Sequence, residues 1–389
     1  MKYYAHLNSA VSLVNSYNGQ QPFHQFLKNF FKENKKHGSS DRRNIAHLCY
    51  CYFRMGNSLT DTPVEEKMIA GLFLCSSKPN EVLKFLRPEL NESLEQNLSL
   101  EEKILLINQR YPHFQSIKIF NFQTKLSEGI DGSLFTLSHL VQPDLFIRIR
   151  PGNKDHVMMK LRESKIDFTL MEPFSIRLPS GYKIEELVEI NKEAAIQDYS
   201  SQRTGNFLPP RDAFHGKPAV WDCCAASGGK AMMAYDFLNP IDLTVTDIRE
   251  SILINLRNRF KQAGINNFRS FVTDLAINKN NQQFDLIIAD VPCTGSGTWG
   301  RAPENLCFFK DESLRRYADL QKNILKNISS SVKQGGYLLY ITCSIFREEN
   351  ENIVEYISQE SGLSLVRKEV IKGYDQKADT MFAALLKRI

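Results

Sequence analysis

Two cysteines stand in settings where sulfur can do chemistry. Cys293 follows Pro292 in the run Asp290-Val291-Pro292-Cys293-Thr294-Gly295-Ser296-Gly297-Thr298, and Cys343 sits in Thr342-Cys343-Ser344. Each run closes a short apolar segment, Phe284–Asp290 and Tyr337–Cys343, of the kind that forms a strand buried in a sheet. A buried cysteine is as a rule an inert packing residue, and either one alone reads that way. Two at the carboxyl ends of adjacent strands reach one crevice, where a thiolate is a nucleophile. None of the eight cysteines belongs to a CxxC pair, so the spacing offers no zinc knuckle and no metal is expected.

Three further strand ends carry residues suited to a ligand. Val220–Cys224 runs into Cys224-Ala225-Ala226-Ser227-Gly228-Gly229-Lys230. Small residues and glycines let backbone come close to a ligand, and the helix that starts near Gly229 turns its N–H groups and dipole toward an anion such as a carboxylate. A tight strand-to-helix turn without a ligand would use the same residues. Leu243–Asp247 ends in an acid that can accept both hydroxyls of a ribose. Ser270–Asp274 ends in another, placed for an adenine amino group or, equally, for capping its own loop. The glycines do not follow GxGxxG, which counts against a nicotinamide dinucleotide. Taken together, the strand ends fit a ligand with adenosine at one end and methionine at the other.

The elements that must position these residues follow from periodicity. From about residue 195 short apolar strands alternate with helical stretches, notably Arg249–Ala263 and Asp311–Val332, the signature of a parallel sheet with helices on both faces. Such sheets bind ligands at the carboxyl ends of their strands, where each residue above is placed. Residues 111–190 differ. Leu145–Arg150 alternates apolar and basic residues before Pro151-Gly152, Asp155–Ser164 suits a helix and Phe174–Leu178 another strand, giving a small α+β subdomain. Arg148 and Arg150 face either RNA phosphates or plain solvent. Residues 1–110 are helical, with apolar residues at helical spacing in His6–Val14, Phe23–Phe31, Ile45–Phe53 and Lys67–Cys75, and with Ser40 or Asp41 as the expected N-cap of the third helix. The expected division is therefore 1–110, 111–190 and 191–389.

Composition sets wider bounds. The 389 residues carry 49 Lys and Arg against 44 Asp and Glu, a net charge of +5. This mild excess permits nucleic-acid binding without demanding it. No stretch approaches the roughly 20 apolar residues of a membrane span, and Met1–Ser16 lacks the apolar centre of a secretory signal. A cytoplasmic, reduced setting is expected, in which thiols stay free, and no signal in the sequence points beyond a monomer.

The runs Cys224–Lys230, Asp290–Gly297 and Thr342-Cys343-Ser344 resemble the motifs of the Nop/Sun (RsmB-type) RNA cytosine-5 methyltransferases. Gln197–Gln202 resembles the segment that precedes that family's catalytic domain, and Ala378–Ala384 its last strand. Ser40-Asp41-Arg42-Arg43, with Tyr50 and Arg54, is similar to the NusB-like helical domain of bacterial members, and Pro143–Pro151 to their small RRM-like subdomain. The resemblance covers nearly the whole chain. It implies an α/β, Rossmann-like class I methyltransferase domain at 191–389, preceded by a NusB-like helical domain and an RRM-like α+β subdomain.

The resemblance also implies roles. Cys343 becomes the nucleophile that adds to cytosine carbon 6 and makes carbon 5 enamine-like, and Cys293 assists release. Asp290 and Lys230 hold and polarise the base, and the Lys230 ammonium lowers a thiol pKa. S-adenosylmethionine is the implied cofactor, held by Cys224, Ala225, Ala226, Ser227, Gly228, Gly229, Lys230, Asp247, Asp274 and Asp290. The implied partner is RNA, ribosomal RNA first and tRNA second, with the target base unpaired or flipped out. Ser227 stands where the family commonly has proline and Ala231 where it has threonine. Trp299-Gly300-Arg301 replaces a stretch that often carries paired arginines, so Trp299 stacks on a base or packs inside. Two other classes share the fold. An amino-group methyltransferase would show an Asn/Asp-Pro-Pro-Tyr/Phe loop where this chain has Asp290-Val291-Pro292-Cys293, and a non-catalytic RNA-binding factor would have no need of both cysteines.

Overall fold

Seven strands form the larger of two sheets in the computed structural model, which describes residues 2–389. The eleven strands, in chain order, are β1 Leu145–Ile149, β2 Thr169–Glu172, β3 Ser175–Leu178, β4 Ala194–Ile196, β5 Ala219–Asp222, β6 Asp242–Asp247, β7 Phe268–Val272, β8 Phe284–Asp290, β9 Val332–Thr342, β10 Leu363–Ile371 and β11 Met381–Arg388. The large sheet has the order β10-β11-β9-β8-β5-β6-β7. From β9 to β7 every pairing is parallel, whereas β11 joins β9 and β10 antiparallel. Strand order reverses between β5 and β8, and a crevice opens above the carboxyl ends at such a point.

The apolar runs predict this sheet because both of its faces are buried. One face packs Val220, Leu243, Val245, Leu286 and Ile288 against the helices Gly229–Leu238 and Glu250–Gln262. The other packs Trp221, Ile287, Ala289, Leu338 and Tyr340 against Asp311–Ile328 and Glu351–Glu360. Phe284–Asp290 matches the expected strand, while the third strand stops at Val272, two residues short of Asp274. The edge strand β10 carries mostly exposed residues, so no apolar run announces it.

The chain divides into two compact units, one of residues 1–124, 131–142 and 299–310, the other of 125–130, 143–298 and 311–389. The first unit is helical. Its first four helices, Lys2–Ser16, Phe23–Glu33, Ser39–Arg54 and Val64–Cys75, extend the four predicted runs by the polar turns that periodicity does not register. The third helix is capped differently from expectation. Gly38 is its N-cap, and Asp41 sits inside the first turn, where its carboxylate accepts the Gly38 N–H at 3.2 Å. Arg54 is buried, donating to the carbonyls of His139 (2.6 Å) and Gly300 (2.8 Å) and to Gln142 Oε1 (2.6 Å), so it joins three separate segments of this unit. Trp299 is 1% exposed and packs on Phe120, Phe122 and Phe309. It is a core residue of this unit and has no face open to a base.

In the second unit the small sheet has the order β2-β3-β1-β4, with every pairing between named strands antiparallel, and the helix Lys154–Glu163 packs Val157 and Leu161 on Ile147, Ile149 and Ile176. Arg148 and Arg150 correct the sequence reading, being neither on solvent nor free for phosphates. Their side chains are 3% and 9% exposed and both pair with Asp236, itself 2% exposed, at 2.7 Å. Arg148 Nε also donates to Gln197 Oε1, and Arg150 Nη1 to the carbonyls of Asn191 and Ala263. The basic face of β1 is thus the face that packs on the helix Gly229–Leu238. Among the described residues no helix is long and apolar enough to cross a membrane.

Candidate active site

A cavity of about 420 Å³ opens at the carboxyl ends of β5 to β9, bordered by Cys224, Asp247, Asp274, Asp290, Cys293 and Cys343. Successive strands contribute successive parts of its wall, because in a parallel sheet all carboxyl ends lie on one side. The volume lies within the usual range for a small-molecule site.

The loop after β5 is shaped for close approach. Gly228 has φ +84°, and a Cβ there would lie 2.6 Å from the Phe260 ring, so both conformation and space require glycine. The loop closes through Gly228 N–H to Ala225 O at 2.7 Å, and the helix Gly229–Leu238 begins behind it. Ala226 lines the cavity, but Ala225, Gly228 and Gly229 shape the turn instead of facing it. Ser227, where the family commonly has proline, points away. Arg259 Nη1 donates to both its carbonyl and its hydroxyl at 2.8 Å, which supplies by hydrogen bonds a stiffness that proline supplies covalently.

Asp247 is the best-held acid. Its Oδ2 accepts the Ala226 N–H at 3.0 Å, and its Oδ1 accepts both the N–H and the Nε–H of Arg249 at 3.0 Å. A carboxylate aimed and oriented in this way can take a ribose diol. Asp274 serves twice: Oδ1 caps its own loop by accepting the Ala276 N–H at 2.9 Å, and the residue borders the cavity. Asp222, at the end of β5, is wholly buried with neither carboxyl oxygen in a regular hydrogen bond. Burial first, and then the negative charge of Asp290, push its pKa up to about 8, partly offset by Lys230 and the Ala231 backbone.

At the other end of the cavity the sulfur atoms of Cys293 and Cys343 are 3.3 Å apart. Strands β8 and β9 pair in register, Asp290 opposite Ile341, and this carries the two loops up side by side. Gly297 joins the loops, its N–H donating to Cys343 O at 2.9 Å, and it must be glycine because a Cβ there would lie 1.9 Å from Thr380 O in the segment before β11. The hydrogen bond to Cys343, then burial and the nearby charges of Cys343 and Glu349, push the Cys293 thiol well above its ordinary range. Lys230 is buried; its Nζ donates to Ser201 Oγ at 2.8 Å and pairs with Asp290 Oδ2 at 3.1 Å.

Sequence reading missed Arg249, Ser201 and Glu349 as parts of this site. Ser201 lies in the Gln197–Gln202 run that the family resemblance marks, and Glu349 hides in the acidic run Glu348-Glu349-Asn350-Glu351, which reads as an ordinary helix start. Asp198 ties the two outlying family-like segments together: its Oδ1 caps Ser200 N–H at 2.9 Å, and its Oδ2 accepts the Asp379 N–H at 3.1 Å.

A mostly parallel sheet of seven strands, with a ligand cavity lined by acids above its switch point, defines the Rossmann-like methyltransferase domain. Residues 206–385 match the family model of the 16S rRNA methyltransferase RsmB/F. Over this stretch the chain is similar to the RsmB-like members of the Nop/Sun methyltransferases. It is similar to the probable ribosomal RNA small subunit methyltransferase B of Bacillus subtilis, with 31% identity over 57% of this chain and 51% of the relative. It is also similar to the ribosomal RNA small subunit methyltransferase B of Proteus mirabilis, with 28% identity over 63% and 62%. The matched region thus spans between half and two thirds of these relatives. Among solved structures, PH0851 aligns over 98% of each chain at 18% identity with a TM-score of 0.71. A methyltransferase homologue from Pyrococcus horikoshii aligns over 78% of this chain and 99% of its own at 20% identity, with a TM-score of 0.58. These two likenesses concern the fold. S-adenosylmethionine fits the residues present: an oriented carboxylate for a ribose, a second acid one strand over, and a tight glycine turn opening a helix.

Proposed function

We propose that this chain is an RNA cytosine-C5 methyltransferase in which Cys343 attacks the base and Cys293 assists its release. The observation that carries this reading is the 3.3 Å approach of two free thiols on the wall of the cofactor cavity. An amino-group methyltransferase has no use for such a pair, since an exocyclic nitrogen needs no covalent activation.

Cytosine carbon 5 is a poor nucleophile. The Cys343 thiolate forms a bond to carbon 6, and the ring electrons it displaces make carbon 5 enamine-like. S-adenosylmethionine, when bound, would supply an electrophilic methyl group to that carbon, the methyl–sulfonium bond breaking to leave a neutral thioether. The carbon 5 proton then leaves to a base, the double bond re-forms and the bond from sulfur to carbon 6 breaks, returning the Cys343 thiolate. Cys293, beside the leaving sulfur, assists this last stage. Lys230 and Asp290, paired with each other, hold the base by its polar edge. Asp247, Asp274 and Asp290, with Cys224 and Ala226, would hold the cofactor, and Ala225, Ser227, Gly228, Gly229 and Lys230 would shape and back the turn that presents them.

The substrate we assign is ribosomal RNA, on the strength of the relatives' names, with tRNA as the second possibility, and the chain is read as a cytoplasmic monomer. The division 1–110, 111–190 and 191–389 is retained as a functional one. The order β2-β3-β1-β4 of the small sheet supports an RRM-like subdomain, and the helices of residues 1–110 a NusB-like one.

The test is denaturing gel electrophoresis of Cys293→Ala, Cys343→Ala and the double variant expressed in cells. A nuclease-sensitive, slowly migrating band is expected for Cys293→Ala alone, and sequencing the attached RNA would name the substrate. If Cys293→Ala gives no band and Cys343→Ala keeps normal turnover on its RNA, the reading is wrong.

A further inference from the structure

Glu349 stands next to the thiols and takes no part in the steps above. It has no solvent exposure, yet its carboxyl group is held close enough to Cys293 for its charge to act on that thiol. Its Oε1 accepts the Thr294 N–H at 2.8 Å and a Gln321 Nε2–H at 3.2 Å, and its Oε2 accepts the Thr294 hydroxyl at 2.6 Å. Thr294 directly follows Cys293. Gln321 also donates to Pro292 O at 2.9 Å, so the loop is gripped on both sides of Cys293. The hydroxyl of Ser344, directly after Cys343, meets the same loop, 3.4 Å from Thr294 Oγ1 and 3.2 Å from Ser296 Oγ. The neighbouring Asn350 holds the same strand end, accepting the Thr342 hydroxyl at 2.6 Å and donating to Ser344 O at 2.9 Å.

We propose that Glu349 is a positioning residue: its carboxylate ties the Cys293 loop to the Cys343 strand end, and its negative charge keeps the proton of the thiol pair on Cys293. This rests on the reading of the pair as the reacting thiols. Burial raises the Glu349 pKa above the ordinary carboxylate value, and the donors from Ser344, Thr294 and Gln321 pull it back. Burying a carboxylate is costly unless donors satisfy it, and the Thr294 N–H, the Thr294 hydroxyl and the Gln321 amide converge here to favour the ionised form against that cost. A negative charge beside a thiol disfavours its thiolate. The titratable groups around Cys293 are Tyr340 on β9, Cys343 just beyond its end, Glu349 on the turn that follows, and Asp290 with Lys230 across the cavity; the helix Asp311–Ile328 contributes the neutral Gln321. Burial and the charges of Glu349 and Cys293 also raise Tyr340, which keeps its phenol protonated. When the pair loses one proton, the Cys293 S–H can donate to the Cys343 thiolate, leaving the nucleophile charged and its neighbour protonated.

The experiment is alkylation of the full chain by iodoacetamide as a function of pH, without RNA or cofactor, with each cysteine followed by mass spectrometry. In the wild type Cys293 is expected to react only at a pH above that of an ordinary thiol. Glu349→Gln keeps the size and removes the charge. It is expected to move the Cys293 profile to lower pH and to speed its alkylation about threefold or more near pH 8, whereas a purely packing role would leave the profile in place. Thr294→Val keeps the charge but cuts one tie. It is expected to slow diamide-driven disulfide formation between Cys293 and Cys343 several-fold, a step in which two thiols are oxidised and the diazene is reduced to the hydrazine. Unchanged profiles in a folded Glu349→Gln protein overturn the charge role, and wild-type crosslinking in Thr294→Val overturns the tie, including where Glu349→Gln does not fold. Neither readout depends on methyl transfer, so failure here is distinct from absence of the RNA adduct.

Discussion

Cys293 and Cys343 lie 50 positions apart in the chain and 3.3 Å apart at their sulfur atoms. The approach is set by the parallel register of β8 and β9 and by Gly297, whose N–H donates to Cys343 O and so joins the two loops. Neither sulfur is free to act without the other sensing its charge.

Cys343→Ala is expected to lower methyl transfer to RNA by about a thousandfold or more, because the covalent route that activates carbon 5 is lost. Cys343→Ser should not rescue it, since an alcohol is scarcely ionised at neutral pH. Incorporation of labelled methyl groups into unmethylated ribosomal RNA measures both. Turnover within about tenfold of wild type for Cys343→Ala would exclude it as the nucleophile.

Asp247→Asn should weaken S-adenosylmethionine binding about tenfold to a hundredfold, the effect of about 1.5–3 kcal/mol typical of hydrogen bonds to a charged group. The amide keeps the shape but loses the charge and one acceptor, and it sets an N–H donor against donors that Asp247 now satisfies, Ala226 N–H and the Arg249 guanidinium. Calorimetric titration of cofactor into the protein checks this without RNA.

Asp222 gives a pH signature. Its folded pKa is pushed up to about 8 from an ordinary 3.8, chiefly by burial. The folded chain therefore keeps a proton that the unfolded chain releases, and folding becomes less favourable as pH rises between about 4 and about 8. An asparagine at this position has no proton to keep. The stability of Asp222→Asn relative to wild type should increase steadily across that window and be flat on either side, as urea unfolding at several pH values would show. A difference independent of pH would remove this account.

Asp236→Ala should destabilise the second unit by about 3–5 kcal/mol, because it leaves Arg148 and Arg150 buried without their shared carboxylate. A loss below about 1 kcal/mol in chemical denaturation would mean that water or other acceptors replace Asp236.

Much of this protein is written locally. Continuous apolar runs such as Phe284–Asp290 locate the buried parallel strands, since only a strand covered on both faces is apolar throughout. Helical spacing in the first hundred residues locates the helices, and the types of residue at the strand ends (glycines, acids, cysteines) locate the cavity. Tertiary structure decided what local pattern leaves open, namely which group covers each side chain. The alternation Leu145–Arg150 shows that two arginines share a face. That Asp236 meets them in the interior depends on the helix Gly229–Leu238, far along the chain. Trp299 became core because residues 299–310 pack with the helical unit, and Glu349 became the tie between the thiol loops only when folding brought Thr294 and Gln321 to it. Periodicity records the direction in which a side chain points from its own backbone. The partner it meets there is set by long-range packing, and in this chain that packing brings the two sulfurs together.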